Sequence, residues 1–144
     1  MLRQLLVGGT VSLGNIAIHA VLMAAVLGAA RWAVRWQHLR PRVWLMAVMV
    51  ATVGVLLVAH TAEVFTWSLA HAILEVIPSE ADVLYFAFVN YTTLGYGDVV
   101  PVDRWRLLGP MAAMNGVLLF GWSTAVIFEV LRQAMHIRDQ WSGP

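Results

Sequence analysis

The sequence contains no cysteine and no lysine, and only 12% of its 144 residues are charged. Without cysteine the chain has no disulfide to hold outer loops, no thiol chemistry and no cysteine-ligated metal site. So few charged residues, beside 60% hydrophobic ones, cannot cover the surface of a water-soluble globule. The composition therefore predicts a membrane protein, and the mean hydropathy of +0.75 agrees.

Three apolar runs are long enough, or nearly so, to cross a bilayer as helices. They cover about residues 5–30, 43–62 and 107–131, and a helix needs about 20 apolar residues to cross the hydrocarbon layer. The first run is longer than the core of a secretory signal, so we interpret it as a membrane span. Asn15 and His19 lie one helical turn apart in it, and we expect them to form hydrogen bonds between helices.

The charged residues predict the orientation of these spans. The link between the first two runs carries four arginines and no acid: Arg31, Arg35, Arg40 and Arg42. The segment between the second and third runs carries six acids and only two arginines. By the positive-inside rule the N-terminus lies outside and the C-terminus in the cytoplasm of a plasma membrane of the bacterial inner-membrane type. The four arginines do not repeat at every third position within a span, which argues against a voltage sensor.

Between the second and third runs, residues 92–101 read Thr-Thr-Leu-Gly-Tyr-Gly-Asp-Val-Val-Pro. Gly95 and Gly97 alternate with larger residues, and glycine tolerates backbone conformations that a Cβ mostly forbids. Such an alternation allows consecutive carbonyl groups to point toward one axis. A lone pair of glycines would instead indicate a tight turn.

This segment resembles the selectivity filter of potassium channels, whose carbonyl rings replace the hydration shell of the ion. The order of segments around it is similar to the pore module of two-transmembrane channels and of two-pore-domain channels, in a small prokaryotic form. The resemblance implies an all-α membrane protein with three transmembrane helices, a re-entrant pore helix and a filter loop, assembled as a homotetramer around one pore. Residues 43–135 would form the pore module. Residues 1–42 would add a helix and a cytoplasmic link, and residues 136–144 a short cytoplasmic tail.

The segments before the filter predict two further helices. Residues 63–75 continue the helical pattern of the second run as an outer helix that stands above the membrane or lies at the interface with Trp67 as its anchor. Ser79 is expected to cap the next helix. The apolar residues 83–91 are too few to span, which suits a pore helix buried in protein.

The resemblance assigns roles to the residues of the filter. The ion-binding residues would be Thr93, Leu94, Gly95, Tyr96 and Gly97. Tyr85 and Asp98 would support the filter from behind, with Tyr85 donating a hydrogen bond to Asp98. Leu94 replaces the usual valine, and Val89 stands where some bacterial channels keep a glutamate.

The third span would be the inner helix of the pore. Its cavity and gate residues would be Val117, Phe120, Thr124 and Phe128, with Gly116 and Gly121 as bending points. A ring of four Phe128 side chains could stop ions by dewetting. Phe128 could instead face lipid or a neighbouring helix, with gating in the filter alone.

A stripe of histidine and glutamate residues leaves a second possibility open. His60, Glu63, His71 and Glu75 recur at helical spacing, either as the solvated face of an outer helix or as a metal or pH-sensing site.

Taken with the resemblance, the sequence predicts a potassium-selective channel that binds potassium ions, contacts lipid and its own copies, binds no nucleic acid and is not an enzyme. The alternatives are a weakly selective cation channel and a metal-binding or regulatory membrane subunit that retains a pore loop.

Overall fold

The computed structural model describes residues 1–33, 41–79 and 81–141, and these residues form helices joined by loops. The α-helices are α1 (Leu2–Ala33), α2 (Pro41–Ile73), α3 (Val83–Tyr91) and α4 (Leu108–Trp141), with a 3₁₀ turn at Asp103–Trp105. The described residues contain no strand, and the all-α prediction is confirmed.

Three of these helices are candidates for crossing a membrane. α1, α2 and α4 are long and apolar enough to do so, in agreement with the three predicted spans. α3 has nine residues, which at about 1.5 Å per residue is less than half of the hydrocarbon thickness.

The beginnings of α1 and α4 lie together. The backbone N–H of Leu107 donates a hydrogen bond of 2.9 Å to Gln4 Oε1. The guanidinium of Arg3 lies 4.9 Å from the centre of the Trp105 ring. The N-terminus therefore shares one side of the helical bundle with the loop that leads into α4. Most of the arginine-rich link lies outside the described residues.

The start of α3 differs from the prediction. Asp82, and not Ser79, is the N-cap: its backbone is extended and its side chain accepts a hydrogen bond of 3.0 Å from the Tyr85 N–H. Ser79 lies three residues upstream in the preceding loop, too far to reach the first free N–H groups of the helix.

Residues 63–73 continue the second apolar run as predicted, and they are the last turns of the unbroken α2. Trp67 is fully buried and its indole N–H donates a hydrogen bond of 3.0 Å to Asn115 Oδ1 on α4. The prediction of a membrane-interface anchor is wrong, because α3 and α4 cover this face of α2.

Two apolar clusters form the core, one near each end of the bundle. One cluster contains Val64 and Trp67 of α2 with Phe86 of α3. The other contains Met23, Leu56 and Val126 from the three long helices, among others. Polar side chains lie between the two clusters along each long helix: Asn15, His19, His60, Glu63, Asn115 and Ser123. We call these six residues the polar layer.

Candidate functional site: the loop after α3 and the polar layer

The loop that begins at Thr92 is joined to the end of α3 by backbone hydrogen bonds. The N–H of Thr93 donates to the carbonyl of Asn90 at 2.9 Å. The N–H groups of Leu94 and Gly95 both donate to the carbonyl of Val89, at 2.9 and 3.2 Å. These bonds satisfy carbonyls that a helix C-terminus otherwise leaves free, and they hold the start of the loop in place.

The backbone of this loop alternates in conformation. Thr93, Gly95 and Gly97 have φ of +61°, +58° and +76°, while Leu94 and Tyr96 between them do not have positive φ. Glycine takes positive φ at little cost, whereas threonine rarely does so. The alternation at the two glycines agrees with the prediction, whereas the positive φ of Thr93 was not predicted.

The predicted hydrogen bond between Tyr85 and Asp98 is confirmed. The Tyr85 hydroxyl donates to Asp98 Oδ2 at 2.7 Å, and Asp98 Oδ1 accepts from the Val99 N–H at 3.1 Å. The hydrogen bond to the carboxylate raises the pKa of Tyr85, so the hydroxyl remains a donor at neutral pH. The bond links the first turn of α3 to the residue that follows Gly97.

If this loop acts as the filter that the sequence resemblance implies, we expect the Tyr85→Phe variant to inactivate several-fold faster than the parent in current recordings. The change removes only the hydroxyl, and Asp98 then keeps only its bond to the adjacent N–H. A double-mutant cycle with Asp98→Asn tests the pairing, because two residues that act through one bond give non-additive effects. Additive effects, or unchanged inactivation in Tyr85→Phe, would contradict a supporting role for this bond.

The residues of the predicted inner-helix face lie on one unbroken helix, α4. Val117, Thr124 and Phe128 are exposed in a single chain. Phe120 is partly covered, because its ring packs 4.6 Å from the His60 ring and 5.4 Å from the Tyr91 ring, measured between centroids. The cavity and gate roles of these residues remain predictions.

At Gly116, α4 lies directly against the backbone at the end of α3. A Cβ at Gly116 would lie 2.0 Å from the Tyr91 carbonyl oxygen, a distance that no real contact allows. A Cβ at Gly121 would meet no atom within 4 Å. Gly116 thus has a packing role that the sequence analysis missed, and its role as a bending point, like that of Gly121, stays a prediction.

The carboxylate of Glu63 is the centre of the polar layer. The side chain is fully buried, and His19 Nδ1 lies 2.8 Å from Oε1 while His60 Nδ1 lies 2.9 Å from Oε2. The Tyr91 hydroxyl also donates to Oε2. Glu63 therefore connects α1, α2 and the last residue of α3.

Asparagines extend these contacts to α4. The Asn15 amide donates to the Glu63 carbonyl at 3.2 Å and to Asn115 Oδ1 at 3.0 Å. The prediction that Asn15 and His19 form hydrogen bonds between helices is confirmed. Both residues join α1 to the rest of the bundle.

The predicted stripe of four histidine and glutamate residues does not form one site. His60 and Glu63 lie in the polar layer, whereas His71 is buried in contact with Phe86 and Trp67. Glu75 is exposed beyond the end of α2, where Arg104 donates to it at 3.4 Å. The interpretation as a solvated face is also wrong, because α1, α3 and α4 surround this side of α2.

Three members of the network were not predicted from the sequence, namely Tyr91, Asn115 and Ser123. The pairing of His19 with Glu63 was not predicted either. Ionisable residues within a span usually face the interior of a helical bundle and have polar partners. That rule, applied to His19, His60 and Glu63 together, would have grouped them. His19, His60 and Glu63 also offer ligand atoms that lie within 4.8 Å of one another, so they could hold a metal ion.

The fold and the loop after α3 define a multi-pass membrane protein with a structured loop between its second and third spans. A family model described as an ion channel matches residues 43–133, which include α2, α3, the loop and most of α4. The chain belongs to this ion channel family. Neither a curated protein nor a solved structure matches it.

Proposed function

We propose that the chain is a potassium-selective channel that conducts passively as a homotetramer. The observation that carries the proposal is the backbone of residues 93–97, where positive φ recurs at every second position. Alternation of this kind turns successive carbonyl groups toward one side, as a filter that replaces the hydration shell of an ion requires. Thr93, Leu94, Gly95 and Tyr96 supply those carbonyls, and the Thr93 hydroxyl adds one more oxygen.

The exposed side chains of this loop support an assembly of four chains. Leu94 is 54% exposed and Tyr96 67% exposed in a single chain. One chain supplies one loop, and a ring of carbonyls needs several loops around an axis. In a tetramer α3 is the re-entrant pore helix, and neighbouring chains cover Leu94 and Tyr96.

Acidic residues near the filter favour cations. Asp98 lies just beyond Gly97, and Asp82 and Asp103 are also exposed on the loops around α3. Four copies of these carboxylates raise the local concentration of cations at the outer mouth of the pore.

Recordings from the purified protein in planar bilayers test the proposal. In mixed potassium and sodium solutions we expect a reversal potential close to that of potassium. A reversal potential midway between the equilibrium potentials of the two ions would favour a weakly selective channel. This is the second candidate, because Leu94 replaces the valine that is usual in the family. Absence of any flux in liposomes would overturn conduction itself and favour a regulatory subunit.

Single cysteines test the proposed orientation, with the N-terminus outside and the C-terminus in the cytoplasm. The chain has no cysteine of its own, so Gln37→Cys and Ser79→Cys each provide one labelling site. We expect an impermeant thiol reagent to label Ser79→Cys from outside and Gln37→Cys only from the cytoplasmic side. Labelling of both from the same side would refute the three-span arrangement.

The Phe128→Ser variant tests the proposed gate. Phe128 is 68% exposed in a single chain and lies four residues before the Arg132 that pairs with Glu129 near the inner end of α4. Serine would wet an apolar ring and so raise the open probability. Phe65→Ser, at an exposed phenylalanine on α2, is the matched control and should not change it. An unchanged open probability in Phe128→Ser would place the gate in the filter.

A further inference from the structure

The polar layer holds a buried carboxylate to which the proposed function assigns no role. Glu63 is fully buried in a candidate membrane span. The arginine salt bridges among the described residues go to other acids, namely Glu75, Asp103 and Glu129. A buried carboxylate is costly without a positive partner. Within the part of the chain that the structure describes, the ionisable groups in contact with Glu63 are His19, His60 and Tyr91.

We propose that His19, His60 and Glu63 bind one divalent transition-metal ion, for which Zn²⁺ is the suitable probe. Two imidazoles and one carboxylate form a ligand set that zinc accepts. The three ligand atoms lie within 4.8 Å of one another. Atoms bound at 2.0–2.1 Å around a tetrahedral ion are about 3.3 Å apart, so small side-chain rotations bring these groups into place.

The surrounding residues match what metal-binding histidines require on their other ring nitrogen. A histidine that binds a metal through one nitrogen usually donates a hydrogen bond from the other. His60 Nε2 lies 2.9 Å and His19 Nε2 lies 3.4 Å from the same atom, Ser123 Oγ. With both Nδ1 atoms on the metal, both Nε2–H groups donate to the two lone pairs of Ser123.

Tyr91 supports the carboxylate of Glu63 as Ser123 supports the two histidines. Its hydroxyl donates to Glu63 Oε2. Oε1, which faces His19 Nδ1 at 2.8 Å, is then the carboxylate oxygen that binds the ion beside that nitrogen. Hydrogen bonds of this kind orient a carboxylate ligand before the metal arrives.

With both imidazoles neutral and no ion bound, the network has one hydrogen-bond donor too few. If both Nδ1–H groups donate to Glu63, both Nε2 atoms are acceptors, and the single Ser123 hydroxyl can donate to only one of them. A bound cation removes this deficit, because each Nε2 then carries a proton. It also supplies the charge that the buried carboxylate lacks.

An ion can approach the cluster at His60, whose side chain is 15% exposed, whereas those of His19 and Glu63 are fully buried. The ring of the partly exposed Phe120 lies against His60. We therefore expect Phe120 to control access of the ion to the site.

Titration calorimetry on the full-length protein in detergent, after treatment with a chelator, tests the site. We expect one Zn²⁺ per chain in the parent and at least about a 100-fold loss of affinity in Glu63→Gln and in His19→Ala. Glu63→Gln keeps the shape of the side chain, and gel filtration shows whether each variant elutes as the parent does. Ser123→Ala should bind about 10-fold more weakly, because it loses only the hydrogen bonds to the ligands.

His136→Ala is the matched control, since His136 is an exposed histidine near the end of α4 and should not contribute. Cobalt supplies a second readout: we expect the absorption of tetrahedral Co²⁺ in the parent and not in His19→Ala. Parent protein that binds no Zn²⁺, equal affinity in Glu63→Gln, or loss of binding only in His136→Ala would each overturn the proposal. None of these measurements depends on conduction, so the metal site and the channel can fail separately.

Discussion

The Gly116→Ala variant is expected to lose most of its folded, assembled protein. The new Cβ would lie 2.0 Å from the Tyr91 carbonyl oxygen and 3.0 Å from the carbonyl carbon. Both atoms belong to the backbone, so α3 and α4 must move apart as whole helices. Overpacking typically costs about 1–3 kcal/mol and sometimes more, and we expect about 3 kcal/mol or more per chain here.

Helix propensity favours alanine over glycine and so opposes the steric cost. A control glycine with open space around it separates the two effects. Alanine is favoured over glycine inside a helix by about 1 kcal/mol, which is smaller than the steric cost at Gly116. At Gly121 the space is open, so Gly121→Ala should be neutral or slightly stabilising. Gel filtration and thermal unfolding of the two variants should therefore differ in direction. If Gly116→Ala assembles and unfolds as Gly121→Ala does, the close approach of α4 to Tyr91 is wrong.

The second large effect is expected from Gly95→Ala, which should lose potassium current. Gly95 has φ of +58°, where a residue with a Cβ costs about 1–2 kcal/mol. There is space for the Cβ, since its nearest atom, the Thr93 carbonyl oxygen, lies 3.9 Å away. The cost is therefore conformational, and in a tetramer it recurs in all four chains around the proposed pore.

The measurement is the permeability ratio of potassium over sodium in bilayers. Gly54→Ala, at a glycine of α2 with no atom near its Cβ, controls for the extra methyl group and should conduct as the parent does. Gel filtration should show that Gly95→Ala still assembles, because the filter loop is exposed and contributes little to the core of a chain. An unchanged permeability ratio in Gly95→Ala would overturn the assignment of residues 93–97 as the filter.

Local features could be predicted well from the sequence. Long apolar runs require helices that span a membrane, because backbone groups in hydrocarbon must be satisfied within the segment. The alternation at Gly95 and Gly97 followed from the one residue type that takes positive φ cheaply. The bond between Tyr85 and Asp98 was predicted from the resemblance, and its two residues lie close together in sequence.

The errors fell where several helices meet. An outer or solvated face was wrongly predicted for Trp67, His60 and Glu63, because their spacing shows only that they share one side of α2. Periodicity cannot say what covers that side, and here α1, α3 and α4 do. The N-cap of α3 was also misplaced, because Ser79 and Asp82 are both residues that favour that position.

By itself, the sequence determined the number of candidate spans, the ion channel family and the alternation at Gly95 and Gly97 in the loop after α3, since each depends on neighbours along the chain. Only the tertiary structure decided that His19 on α1 meets Glu63 on α2, 44 residues away. It also decided that Gly116 on α4 is closed in by Tyr91. Such contacts depend on the rotation and depth of each helix against the others, which the packing of whole faces sets and no local pattern encodes.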